Sequence, residues 1–308
     1  MLALPRLSLT GDLDRRCLRV LARGDHCHDA DRAATLDRVL GLLGIQAPVS
    51  GTAALRLLGQ TGSAPGGWIA AADPVHMETC IDHLRVHALA PSSVPVQDLK
   101  TAFERLQAQL GEPDALLFRH VAGKGYLEAE DDALETPRAS ALVVDGYEPS
   151  QFMPAGTDQG GGQRFHRLHS EVQMVLHDAA LLADDQQRGA LPVNALWIWG
   201  GGRLPEATPV PLPDLYSDDD LVTGFWRAAG AGVQALPRAL SDCINGDDKP
   251  RVIVAEHAAD DVLAQAVDLL GTGRIRRLML LLNGGKHIDL RRSDRFRFWR
   301  RHLPELDV

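Results

Sequence analysis

The stretch LPVNALWIWGGGRLP, Leu191 to Pro205, constrains this chain more than any other. An unbroken apolar run, Ala195 to Trp199, enters three successive glycines and an arginine. A short apolar run bounded by turn residues predicts a buried strand over 193–199. Alternation along a strand then puts Trp197 and Trp199 on one face. Gly200, Gly201 and Gly202 predict a tight turn at the carboxyl end of that strand, where open α/β sheets bind ligands. Glycine lets the backbone approach a ligand closely and lets amides converge on an anion. Arg203 offers a charged fork for phosphate or carboxylate, and Asn194 stands at the strand start, placed to bond to a neighbouring loop. A structural reading stands beside this one: two core tryptophans, and glycines that only let the chain turn. Gly-Gly-Gly-Arg matches neither the P-loop nor a GxGxxG that opens a helix.

Around this strand, apolar periodicity predicts helices over 12–24, 31–44, 52–58, 96–110, 165–185, 218–229, 232–239 and 259–270. On the helix from Phe165, the stripe Leu168, Val172, Val175, Leu176 and Ala179 falls on one face, and Gly189 marks its end. Strands are expected over 68–72, 81–89, 114–121, 126–130, 140–146, 251–256 and 274–282. Asn283-Gly284-Gly285 turns the chain into a hairpin over KHIDLRR, and a short helix follows over DRFRFWRR. The segment 150–163 reads as a long loop and 204–213, with its prolines, as a surface connection. Helices, then strands, then a β-α-β ending argue for an α/β fold whose sheet is interrupted by an α+β insertion.

With 308 residues the chain is long enough for two domains. A net charge of −9 gives no global basic field to attract nucleic acid or anionic lipid. No apolar run reaches a membrane span, and the start MLALPRLSLTGDLDRR lacks the basic region of a signal peptide. Four scattered cysteines, Cys17, Cys27, Cys80 and Cys243, read as reduced thiols of a cytoplasmic protein. No nucleophile motif is visible.

Three stretches together resemble a known family: AADPVHMETCIDHLRV (71–86), RLHSEVQMVLHDAALLADDQQRGALPVNALWIWGGGRLP (167–205) and RLMLLLNGGKHIDLRRSDRFRFWRR (277–301). They resemble the bacterial RpfE-type regulatory proteins, often labelled phosphoglycerate mutase. That family is in turn similar to the archaeal-type cofactor-independent phosphoglycerate mutases, whose pattern here falls on Asn194, Gly200, Gly202 and Pro205. The resemblance implies an α/β fold with an alkaline-phosphatase-like outer domain from 1–72 plus 196–308, and an inserted α+β domain from 73–195. Such mutases use two divalent metals, held by Asp and His, and a phosphorylated serine. The opening Asp-Gly motif with its serine and the later Asp-His motifs are not found in this sequence, and the N-terminal part reads as helical, without a metal-bearing strand. The expectation is therefore that no metal and no cofactor is held. The run His177-Asp178-Ala179-Ala180-Leu181-Leu182-Ala183 also stands where the family has an arginine-containing motif.

Further constellations each carry two readings. DHCHDAD, Asp25 to Asp31, is a zinc or copper candidate or a polar loop between helices. Asp73 and His76, with Asp82 and His83 beyond, are candidates for general acid–base work or for a turn and cap. Glu171, Gln173 and His177 share one helix, with Gln173 and His177 on one face and Glu171 apart from them. Arg274, Arg276, Arg277, Lys286, Arg291, Arg292, Arg295, Arg297, Arg300 and Arg301, interleaved with Phe296, Phe298 and Trp299, form a basic cluster open to a protein contact or to phosphate. The chain is thus expected to be a cytoplasmic regulatory or small-anion-binding protein. Its expected ligand site comprises Asp73, His76, Glu171, Asn194, Gly200, Gly201, Gly202 and Arg203, with a small anionic metabolite or a protein as partner and neither nucleic acid nor membrane. An active metal-dependent phosphotransfer enzyme and a protein-interaction module are the alternatives.

Overall fold

The structure, a computed structural model, describes residues 1–5, 7, 14–28, 33–89, 93–112, 116–129, 134–155, 160–177, 191–206, 210–244, 249–256, 259–283 and 285–300. In chain order the elements begin with β1 (Leu2–Leu4), α1 (Arg15–Leu21), β2 (Asp25–His28) and α2 (Thr35–Leu42). Next come α3 (Thr52–Thr61), β3 (Trp68–Thr79), β4 (Leu84–Ala88), α4 (Val96–Leu110), β5 (Leu116–Val121) and β6 (Lys124–Ala129). They are followed by α5 (Ala141–Val144), α6 (Gly161–Leu176), β7 (Ala195–Gly202), β8 (Asp214–Ser217) and α7 (Asp220–Ala228). The chain closes with β9 (Val233–Ala235), β10 (Arg251–Val254), α8 (Ala259–Thr272), β11 (Arg277–Leu282) and β12 (Lys286–Arg291). Among the described residues no helix is long and apolar enough to cross a membrane.

Met1–Ala47 and Ala207–Val308 form one compact unit. Its sheet runs β2-β12-β11-β1-β10-β8-β9. The strands from β11 to β9 are parallel, and β12 and β2 extend the sheet antiparallel. Parallel strands are covered on both faces, so they read as near-continuous apolar runs such as RVIV and RLMLLL. Leu2, Leu4, Leu278, Leu280 and Leu282 pack with Leu21 of α1 and with Leu263, Val267 and Leu270 of α8. The Asp219 carboxylate accepts the Val222 amide at 2.9 Å and so caps the start of α7.

Pro48–Glu206 form the second unit. Its sheet runs β4-β3-β6-β5, with β7 also paired to β3. Every one of these pairings is antiparallel. One face, through Trp68, Ala70, Ala72, Leu127, Leu196 and Ile198, packs on Phe103 and Leu106 of α4 and on Phe165, Leu168, Val172, Val175 and Leu176 of α6. The helical stripe expected on α6 is therefore core as far as the chain is described; Ala179 and Gly189 lie outside the described residues. The other face carries Ile69 and Tyr126 against Ala54 of α3.

Several expectations are corrected. The N-terminal part contains a strand after all: β1 lies between β10 and β11, and its three residues are too few to show a period. Asp25–His28 is not a loop but edge strand β2, held by β12; Asp29 and Asp31 of the same run lie outside the described residues. ALVV within 140–146 is one helical turn, because four apolar residues fit either state. Within 232–239 lies strand β9, paired to β8, in place of a helix. Asp73-Pro74 does not end a strand, since β3 continues to Thr79. The short helix over DRFRFWRR is a 3-10 turn over Arg292–Phe296. The domain boundaries expected at 72/73 and 195/196 fall inside β3 and at the start of β7. Those two strands are hydrogen-bonded from Ile69 to Val75, and the compact units divide outside them.

Candidate functional site

The three glycines are not a turn at the edge of a parallel sheet. They are the last residues of β7, which is antiparallel to β3, so the rule for carboxyl ends of parallel strands does not apply to them. Each is held by close packing within its own unit. Gly200 has φ +66°, and an added Cβ would stand 2.3 Å from Thr52 Oγ1 at the start of α3. At Gly201 a Cβ would stand 2.4 Å from the Trp68 ring, and at Gly202, with φ +146°, 2.6 Å from the Gly51 amide nitrogen. The Gly200 amide donates to the Pro137 carbonyl and the Gly201 amide to Thr136 Oγ1, each at 2.7 Å. The Gly201 carbonyl in turn accepts the Gly51 amide at 3.1 Å. The glycines thus bring the end of β7 into backbone contact with the start of α3, while the Gly200 and Gly201 amides are engaged by Pro137 and Thr136.

Beside them lies a buried polar node. Arg56 of α3, only 5% exposed, donates to Asp73 Oδ1 at 2.5 Å and to the Gly125 carbonyl at 2.8 Å. Trp199 Nε1 donates to the other Asp73 oxygen at 2.6 Å. The Arg56 guanidinium lies over Tyr126, 4.6 Å from the ring centroid, and 5.4 Å from that of Trp199. Burial works against the Arg56 charge, but the Asp73 carboxylate and the Tyr126 hydroxyl outweigh it, so its pKa stands above the ordinary value. Burial likewise raises the Tyr126 phenol, whose hydroxyl donates to Gln60 Oε1 at 2.8 Å. Trp197 and Trp199 do share a parity, and the Trp197 indole donates to the Ala139 carbonyl at 2.7 Å. Sequence reasoning passed over Arg56; the available signal was a lone cation inside the apolar run Ala53 to Leu58.

The remaining expected residues do not converge on this node. Asn194 grips the Met77 backbone, accepting its amide at 2.7 Å and donating to its carbonyl at 2.9 Å, so it continues the β7–β3 ladder with a side chain. His76 Nδ1 lies 2.9 Å from the Pro192 carbonyl, and its ring is 6.2 Å from that of His87, which pairs with Glu78 at 2.9 Å. Glu171 pairs with Arg167 along α6 at 2.9 Å, while Gln173 turns to the Met77 sulfur at 2.7 Å. Arg203 is exposed, with its carbonyl packed against Gly51. Asn194 and Gly202 stand about 26 Å apart by strand rise, so one small ligand does not span the set.

In the first unit, β8 and β10 end side by side, with Ser217 opposite Val254, and Asp218, Asp219, Asp220 and Glu256 follow. This carboxyl edge is where a parallel sheet places its ligands. Asp218 Oδ1 accepts the Glu256 amide at 2.6 Å, Asp219 Oδ1 caps α7, and the Asp219 amide donates to Ser217 Oγ at 2.9 Å. The central strand β1 ends in Leu4-Pro5, which offers no side-chain ligand. A dinuclear centre of the implied kind needs a bridging set of acids and imidazoles. Among the described residues no three His, Cys, Asp or Glu side chains are placed to hold an ion, so the residues described do not fit that centre. At β2, Asp25 is held by Arg297 at 2.6 Å and Arg300 at 3.1 Å, and His26 Nε2 lies 2.9 Å from the Leu21 carbonyl.

The class these observations define is a mixed α/β protein of two compact units, one with a largely parallel sheet and one with an antiparallel sheet. Its relatives are distant. No family model matches the chain. Over 161 residues, 50% of the chain, it is 25% identical to a 2,3-bisphosphoglycerate-independent phosphoglycerate mutase of Methanosarcina barkeri, and the match covers 39% of that protein. Over 184 residues, 56% of the chain and 57% of the relative, it is 25% identical to an N-acetyl-gamma-glutamyl-phosphate reductase of Sinorhizobium medicae. The matches therefore span less than two thirds of the length of either relative. Among solved structures, the PH0037 protein of Pyrococcus horikoshii is similar at a TM-score of 0.47 and 13% identity, over 94% of this chain and 87% of that one. A cofactor-independent phosphoglycerate mutase from Thermoplasma acidophilum gives 0.37 and 15%, over 94% and 88%.

Proposed function

We propose that this chain is a phosphoglycerate-mutase-like protein that works by binding, as a cytoplasmic regulatory or small-anion-binding protein, and not by dinuclear-metal phosphotransfer. The sequence likeness to the Methanosarcina mutase supports the first part of this reading. One observation carries the second: at the carboxyl edge of the first unit, Asp218 and Asp219 are engaged by backbone amides, beside a β1 that ends without an acid. The anion would be met by the exposed Arg203. The test is elemental analysis of the purified protein, a mutase assay with and without manganese, and calorimetric titration with phosphoglycerate. The reading expects no stoichiometric metal, no turnover, and anion binding that weakens about tenfold in Arg203→Ala, the scale of one charged hydrogen-bond partner. Stoichiometric metal with turnover overturns it in favour of the enzyme.

A protein-interaction role rests on a different observation. Phe296, Phe298 and Trp299 are 63–67% exposed, with Arg295 lying 4.7 Å over the Phe296 ring. Tryptophan and arginine are the residues that most often dominate protein interfaces. Loss of a purified partner on replacing Phe298 and Trp299 by serine, with anion binding kept, would favour that role.

A further inference from the structure

In the second unit, α3 leaves part of its sheet face open. The result is a cleft of about 570 Å³, within the range of small-molecule sites. Leu57 and Thr61 of α3 form one wall, and Leu117, Arg119 and Val121 of β5 with Tyr126 and Glu128 of β6 form the other. Strand register explains that second wall, since Leu117 pairs with Glu128 and Arg119 with Tyr126, on one side of the sheet. The segment Ser63 to Gly67 makes the rim. None of the residues expected to bind a ligand lines this cleft.

The chemistry of the walls selects the occupant. Their formal charges, Arg119 and Glu128, neutralise each other at 2.7 Å. The Thr61 hydroxyl donates to the Leu57 carbonyl at 2.9 Å, and the Tyr126 hydroxyl is bonded to Gln60. The neighbouring cation Arg56 is closed by Asp73. What remains on the walls is apolar: the half-buried Leu57, Leu117 and Val121, with Ile69 and the Tyr126 ring fully buried beneath them. An ionic ligand entering here would lose water and find no counter-charge.

We propose that this cleft is a binding site for an uncharged, mainly apolar small molecule, distinct from the anion site proposed above and independent of it. A matched pair of probes tests this. N-phenylnaphthylamine is neutral, and anilinonaphthalene sulfonate is nearly the same molecule with an anionic group. The neutral probe should bind saturably, one per chain, with its fluorescence enhanced and blue-shifted, and about tenfold or more tighter than the sulfonate, as the cost of burying an unpaired charge requires. Leu117→Asp, which puts a carboxylate on the wall, should weaken the neutral probe by a similar factor. Gly66→Asp carries the same charge to the rim, where an added Cβ meets nothing within 4 Å, so the test survives if Leu117→Asp fails to fold. Circular dichroism and melting confirm the fold of each variant. Absence of saturable binding, equal affinity for both probes, or unchanged binding in the folded variants overturns the proposal. So does a shift in oligomeric mass by light scattering in the variants, which would make the cleft a contact between copies. Anion binding by Arg203 is untouched by any of these results.

Discussion

The two units use opposite devices to hold a sheet. In the first, short parallel strands are covered by helices, the core is a mass of leucines, and acidic side chains sit at the strand ends as caps and backbone acceptors. In the second, antiparallel strands run up to twelve residues, and the buried Arg56 is paired with the half-buried Asp73 between helix and sheet. Hydrophobic burial is non-directional and tolerates substitution of similar volume. A buried ion pair tolerates nothing that removes one partner. The second unit should therefore be the more brittle of the two, and three substitutions measure that.

The largest effect is expected at the ion pair. Arg56→Met leaves the Asp73 carboxylate and the Trp199 indole facing a lost cation, and should cost about 3–5 kcal/mol. Urea unfolding followed by tryptophan fluorescence checks it. A loss no larger than that of Leu280→Val in the first unit would erase the contrast.

The next effect concerns His169 on α6, which is 6% exposed, stacked on Phe165, and has no hydrogen-bond partner for Nε2. Burial, helped by nearby His166, lowers its pKa from 6.5 to about 4. Below pH 6.5 the unfolded chain takes up a proton that the folded chain refuses. Stability is therefore fully present above that pH and falls as pH drops towards about 4, by about 3 kcal/mol in all. Denaturation midpoints across that window should slope in the wild type and flatten in His169→Leu. An unchanged slope in the variant would assign the acid sensitivity to other groups.

The smallest effect sharpens the comparison at the level of backbone. Gly200→Ala in β7 meets both a positive φ and Thr52 Oγ1 at 2.3 Å, and should cost about 1–3 kcal/mol, the scale of strained backbone conformations. Gly230→Ala in the first unit has a similar φ of +69° but open space around it, and should cost less, near the low end of that range. Thermal melts of the pair decide it; equal losses would mean that conformation alone, not packing against α3, explains the glycines.

Local chemistry, written in consecutive residues, determined much of the architecture. The stripes Leu168–Val172–Val175–Leu176 and Leu36–Val39–Leu40 are core faces because a helix repeats every 3.6 residues whatever surrounds it. The shared face of Trp197 and Trp199 follows from strand alternation in the same way. The sequence alone does not settle whether three-residue segments such as Leu2–Leu4 and Val233–Ala235 pair, because they are too short to show a period and their partners lie elsewhere in the chain, across α7 for Val233–Ala235 and in β10 and β11 for Leu2–Leu4. Nor does it show what the glycines are for. The motif allowed a ligand turn or a tight approach, and only the folded chain fills the space with atoms: the start of α3 and the residues just before it above Gly200 and Gly202, and Trp68 with Thr136 above Gly201. Asp73 is the sharpest case. From sequence it is a carboxylate at a strand end, free to do chemistry. Its partners Arg56 and Trp199 lie 17 and 126 positions away, and it takes the folded β3–β7–α3 contact to bring both onto its two oxygens.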